Sequence, residues 1–320
     1  MSDQGSATPS LKEKVTEWLE TQGYPLEFRV ARAFERSGFF ETYQGQYIQD
    51  DKGGDPREID VLANITTSYE EKCFFRISQV VECKWSKDKP WLVFTSSRSI
   101  MGEGACIAQT IASALGEAAM FCIAGDNALG DLELFKRPGR GGFAGRRAFE
   151  KNKEQQDIFY ATIQGLITKS VNYAKSYGLP NPSAGQVPSS GCLAFPIIVI
   201  DGDLFEAYYD KEKDNVALRE AHHIRIFWRG APGHKRFITP VDIVTAGAVE
   251  EFAKKRLLET KALLTAVSIS IANIREAFRE QAFNKLEITE ASRGFTSFPP
   301  LLAELYVLDK AKQTTNKLGQ

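Results

Sequence analysis

Apolar and charged positions interleave most tightly between Asp55 and Trp85. This stretch reads D-P-R-E-I-D-V-L-A-N-I, then a polar turn over residues 66–72, then C-F-F-R-I-S-Q-V-V-E-C-K-W. Side chains alternate along a strand, so Glu58, Asp60 and Leu62 are expected on one face. Val80, Glu82 and Lys84 share a face in the second run, and Val81, Cys83 and Trp85 share the other. Paired as a hairpin, the two runs let Asp60, Glu82 and Lys84 meet.

The pattern elsewhere predicts an α/β chain. Ser10 and Glu13 form a capping box that opens a helix to about residue 22, with Gly23 as its stop. Pro25 fits the first turn of a second helix, on which Glu27, Val30, Ala31 and Phe34 follow helical spacing. Strands are expected at 42–48, 91–95, 204–209, 222–228 and 237–244. The unbroken apolar run at 195–200 predicts a buried central strand. Helices are expected at 105–121 and 155–177. The helical pattern over 249–284 exceeds the usual globular length, so it predicts either two helices with a bend or an elongated partner-binding element, with a homodimer as the candidate assembly. Pro299-Pro300 would start a last short helix, with a loose tail beyond residue 310. No linker separates the strands, which predicts one elaborated domain over 10–245 and a helical region over 246–311. The ends, 1–9 and 312–320, read as a disordered tail and a loose tail.

Charges are rarely set among Val, Ile and Phe without a partner or a metal. Two carboxylates on adjacent strands suit Mg²⁺, a hard cation that prefers oxygen ligands. A lysine beside them suits the charge that develops on a phosphate under attack. The competing reading is a surface hairpin in which Glu82 and Lys84 are a solvated pair. The apolar run of Val80, Val81, Cys83 and Trp85 argues for burial on both faces instead. Glu27 at a helix start is equally a residue favoured by the helix dipole.

Ile59-Asp60 followed by Glu82-Cys83-Lys84 resembles the D…(D/E)-x-K signature of the PD-(D/E)xK, restriction-endonuclease-like nucleases. Ile59 stands where that family usually has proline. The helix P-L-E-F-R-V-A-R-A-F-E-R-S-G-F and the E-C-K strand are most similar to the Mrr-like branch, over about residues 24–125. The resemblance implies a central mixed sheet flanked by helices, here with extra strands and C-terminal helices. It implies Asp60 and Glu82 as metal ligands, Lys84 as the transition-state or water-orienting group, and Glu27 as an accessory ligand or base. It further implies Mg²⁺, with Mn²⁺ as a substitute, and cleavage of DNA in bacterial restriction or antiphage defence, RNA being left open. The alternative is a non-catalytic nucleic-acid-binding or assembly subunit with the same fold, acting with a partner of a defence complex.

Composition adjusts this picture locally. Forty basic and forty-one acidic residues leave a formal charge of −1, so any basic surface must be local. The stretch 136–153, K-R-P-G-R-G-G-F-A-G-R-R-A-F-E-K-N-K, carries seven basic residues and one acid. It reads as a glycine-rich loop in which Arg140, Arg146, Arg147 and Lys151 contact phosphates. A mobile solvated loop is the competing reading. The five cysteines read as buried thiols of a reducing compartment, and neither C-x-x-C nor a histidine site suggests zinc. Asp201-Gly202-Asp203 reads as a turn, and Gln109 as an exposed helical residue. With no signal peptide and no apolar run of membrane length, the expected location is cytoplasmic.

Overall fold

Two runs that are apolar on both faces become neighbouring central strands, β3 (Phe74–Trp85) and β7 (Ser190–Asp201). They run parallel and stay in register from Phe74↔Ser190 to Trp85↔Asp201. The structure, a computed structural model, describes residues 10–49, 53–69, 73–86, 89–97, 103–149, 157–178, 186–229, 238–288 and 297–318. On one side of β3 lie β2 (Arg57–Ser68) and then β1 (Glu41–Ile48). Beyond β7 follow β11 (Ile238–Thr245), β10 (His223–Arg229), β6 (Gly141–Arg147), β4 (Trp91–Ser96), β8 (Leu204–Asp210) and β9 (Asn215–Glu220). A two-residue strand, β5 (Ile111–Ala112), completes this mixed eleven-stranded sheet by pairing with β7. The free edge of β7 changes neighbour from β5, at Leu193 and Ala194, to β11, from Ile197 onward. Pro196, which has no N–H to donate, sits in that gap, where a proline is tolerated inside a central strand.

Helices cover both faces of the sheet. The odd-numbered residues of β3 and β7, among them Phe75, Ile77, Val81, Leu193, Ile197 and Val199, face α2 (Tyr24–Ser37), α4 (Ala114–Ile123), α7 (Val249–Glu280) and α8 (Pro300–Leu318). The even-numbered Val80, Cys192, Ala194 and Ile198 face α6 (Ile158–Lys175). A first helix, α1 (Leu11–Glu20), carries the expected capping box, with Ser10 and Glu13 bonded reciprocally.

Several expectations are corrected. The helix expected at 105–121 is α3 (Glu103–Ala108), β5 and α4. The break comes at Ser113, whose hydroxyl caps α4 and also accepts the Cys192 N–H at 2.9 Å, tying the chain to β7. Gln109 is buried, and its side-chain oxygen accepts the Ile238 N–H. The glycine-rich segment forms β6, with β4 and β10 as neighbours, rather than a loop. Its Gly145 is needed for close approach, since a Cβ there would lie 2.2 Å from the Phe159 ring.

The long helical pattern is one 32-residue helix without a break. One window of it is apolar enough for a membrane span, but its stripe from Ala253 to Phe278 packs against the chain's own sheet and helices. The apolar stripe that suggested a dimer is thus used inside the fold. The last helix continues to Leu318 rather than fraying after Lys310, helped by the bond from Lys312 to the Glu280 carbonyl.

One buried charge network ties the middle of the sheet to α7. Asp242 on β11 accepts from Arg225 on β10 at 3.0 Å and from Arg256 on α7 at 2.6 Å, and its other neighbour is His223 at 2.7 Å. Burial alone would raise the Asp242 carboxyl, but the two guanidinium groups hold it well below the usual carboxylate range. Removing one member of a buried ion network strands the others without counter-charge. Asp242→Ala is therefore expected to destabilise the fold by ~3–5 kcal/mol, read as a shift of the urea midpoint.

Candidate active site

The charged cluster forms where the hairpin of β2 and β3 opens. Their ladder runs from Ser68↔Phe74 to Val61↔Val81, and its register continued by one pair sets Asp60 opposite Glu82. There the side chain replaces the ladder: Asp60 Oδ2 accepts the Cys83 N–H at 2.7 Å. The neighbouring pairing of β1 and β2 skips Gly45 and Asp60, and Gly45 adopts φ +61°, which a glycine tolerates best. Ile59 and Leu62 both pack on the α6 side, so alternation slips at this point. The regular face of Glu58, Asp60 and Leu62 expected from the sequence is corrected accordingly. The irregularity is what leaves Asp60 to bond the end of β3.

Glu82 and Lys84 lie on the α6 face of β3. Glu82 is buried, and each of its carboxylate oxygens meets an ammonium group. Oε1 accepts from Lys84 at 2.7 Å, and Oε2 accepts from Lys169 of α6. Lys169 also donates to the Glu58 carbonyl at 2.6 Å, which pins α6 to the end of β2. Glu27, from the first turn of α2, feels the same cluster. Burial, followed by repulsion from Asp60, Glu58 and Glu82, lifts its carboxyl to about 7, with Lys84 opposing. Asp60 is lifted to about 6 by burial and Glu82, against the pull of the Cys83 N–H, Lys169 and Lys84. Burial works to lower Lys84, but Glu82 and Asp60 outweigh it and hold its ammonium above the ordinary value. The Cys83 thiol is pushed well up by burial and the surrounding acids, which makes it a poor nucleophile.

Of the residues expected in the site, Asp60, Glu82, Lys84 and Glu27 thus interact in one cluster. The basic segment does not join them, since β7, β11 and β10 stand between β3 and β6. Arg140 is bonded to the buried Glu206 at 2.6 Å and stacks over the Tyr208 ring. Glu206 also accepts from Thr95 and Arg219. Arg146 is exposed on β6, Arg147 is half-buried at its end, and Lys151 lies outside the described residues. Asp201 ends β7 before a short turn to β8 and pairs with Arg29 at 2.7 Å, in keeping with the turn reading.

Lys169 is the member that sequence reasoning missed. A signal was present, because Lys169 falls three residues after Leu166 and four before Tyr173, on the buried stripe of α6. A lysine at such a position requires a partner.

Among the described residues, no three His, Cys, Asp or Glu side chains converge as a ready set of metal ligands. The donors that do gather are carboxylate oxygens, the type that hard divalent cations take. Among the described residues, four carboxylates, Glu27, Glu58, Asp60 and Glu82, gather with the two ammonium groups of Lys84 and Lys169, so acids are in surplus there. That surplus and the chemistry of the donors are compatible with a divalent cation. Compared with protein-family models, curated proteins and solved structures, the chain matches none.

The raised carboxyls make stability depend on pH. The folded Glu27 value lies above its ordinary one, so the folded state binds the extra proton. Stability therefore falls as pH rises from the ordinary carboxylate range through about 7. Glu27→Gln removes the charge and keeps the shape. With chelator present, its unfolding free energy from urea titration should match wild type at about pH 5 and exceed it at about pH 8, by ~1 kcal/mol after allowing for solvent screening.

Proposed function

We propose that the protein is a divalent-metal-dependent nuclease of the PD-(D/E)xK type that hydrolyses DNA phosphodiester bonds. The observation that carries this reading is the cluster itself. Asp60 and Glu82, from the ends of two adjacent strands, interact with Lys84 and with Glu27 of a flanking helix. The cluster lies at the carboxyl end of the parallel strands β3 and β7, the edge at which open α/β sheets bind ligands.

Asp60 and Glu82 would hold the ion, which when bound supplies Lewis acidity to the phosphate and acidifies a water. The chain's own groups do the rest. Lys84 and Lys169 present two ammonium groups to the negative charge that builds on the phosphate as water adds and the leaving oxygen departs. Glu27, with its carboxyl near neutrality, accepts the proton of the attacking water. The setting in restriction or antiphage defence rests on the family resemblance alone.

A second reading has its own support. Both oxygens of Glu82 are already matched by lysines, which also suits a non-catalytic, DNA-binding subunit that retains a nuclease-like fold.

Metal-dependent cleavage separates the two. The purified protein is expected to cut DNA with Mg²⁺ or Mn²⁺ and to stop with EDTA. Lys84→Ala should lower the rate by about 10²–10³-fold while leaving DNA affinity in place, because its ammonium acts on developing charge. Asp60→Asn should lose metal affinity by calorimetry while remaining folded by circular dichroism. Undiminished cleavage in both folded variants would refute this site, and DNA binding without metal uptake or cleavage in the wild type would select the second reading.

A further inference from the structure

The rim of the acid cluster carries exposed aromatic rings, and neither the fold nor the proposed chemistry uses them. On α2, Tyr24, Glu27 and Phe28 follow i, i+3, i+4 spacing and so share one helix face. Tyr24 is 52 % exposed and Phe28 is 64 % exposed. From β1, Tyr47 is 66 % exposed and donates its hydroxyl to Glu58 at 3.3 Å. Trp85, one residue beyond Lys84 at the end of β3, is 43 % exposed. Tyr24 and Tyr47 are electrostatic neighbours, so helix and strand bring their rings to the same edge of the cluster.

A duplex and a single strand both present phosphates, so charge does not choose between them. The bases do. Unpaired bases offer the surface that such a rim can use, because stacking on aromatic rings is tolerant of sequence. A paired base keeps that surface inside the helix.

We infer that the rim formed by Tyr24, Phe28, Tyr47 and Trp85 stacks on unpaired bases, so that the substrate is single-stranded DNA or a single-stranded segment beside a duplex. The inference rests on the nuclease reading for its catalytic consequence, but base stacking is measurable without cleavage.

The test uses the full chain with fluorescein-labelled oligothymidylate and a matched duplex, in Ca²⁺ to separate binding from turnover. Single-stranded DNA should bind more tightly than duplex and should quench tryptophan fluorescence, with less quenching in Trp85→Phe. Phe28→Leu, which keeps an apolar side chain and loses the ring, should weaken single-strand binding by about 5- to 150-fold. Phe28→Tyr should restore it. Equal affinity for duplex, or an unchanged affinity in both Phe28→Leu and Trp85→Leu, overturns the inference. So does a loss of dimer mass in these variants with DNA affinity intact, which would assign the rim to self-association. Duplex cleavage undisturbed by the rim variants removes the stacking role and leaves the nuclease reading standing. Ring-dependent single-strand binding with no cleavage in Mg²⁺ or Mn²⁺ does the reverse.

Discussion

Everything in this fold takes its position from the parallel pairing of β3 with β7. With β2 on its other edge, β3 has both edges occupied, and both of its faces carry helices. A strand in that position admits charge only where the charge has partners. Glu82 and Lys84 stand on it, and their placement is therefore over-determined. The backbone is fixed by two neighbours, Val80 and Val81 just before them are fully buried, and Asp60 closes the end of the hairpin by accepting the Cys83 N–H.

The orientation of α6 is set by polar contacts that lie beneath it. Tyr173 follows Lys169 by four residues on α6, and Tyr177 lies in the turn just past the helix end. Tyr173 takes up Ser78 and lies near Asn64, while Tyr177 accepts from Arg76 at 2.6 Å. Arg76 in turn reaches Glu41 and Thr66, joining β3 to β1 and β2. Apolar packing alone lets a helix slide by a fraction of a turn, whereas paired donors and acceptors admit few positions. The lysine that meets Glu82 is thus held in place by hydrogen bonds one turn farther along its own helix and in the turn that ends it.

The parts of this arrangement legible in the sequence were those with strict periodicity. Alternation revealed β2 and β3, an unbroken apolar run revealed β7, and helical spacing placed Glu27 next to the buried face of α2. The rest was hidden for identifiable reasons. β9 is short and exposed at nearly every position, Val216 and Leu218 included, so no buried face marks it. β6 is rich in glycine and arginine, a composition that reads as loop, yet its glycines serve close packing against Phe159 and Phe227. The interruption between α3 and α4 depends on a Ser113 bond to Cys192 that no local pattern encodes. The role of Lys169 requires knowing that α6 lies across the end of β3.

Two charge clusters in the one chain show how different a structural and a candidate functional arrangement are. Around Asp242, one carboxylate is set between two guanidinium groups, and the field drives the acid well below its usual range. The carboxylate there is matched within the chain, while burial and Arg225 push the Arg256 guanidinium below its ordinary value. Around Glu82, among the described residues, the acids outnumber the ammonium groups; Glu27 is pushed upward by burial, Asp60, Glu58 and Glu82, and Asp60 by burial and Glu82. Such an arrangement opposes stability at neutral pH. A fold optimised only for stability replaces surplus acids with neutral side chains of similar size. Their presence at the open end of the two central strands marks the cluster as a candidate functional site rather than a contribution to the core.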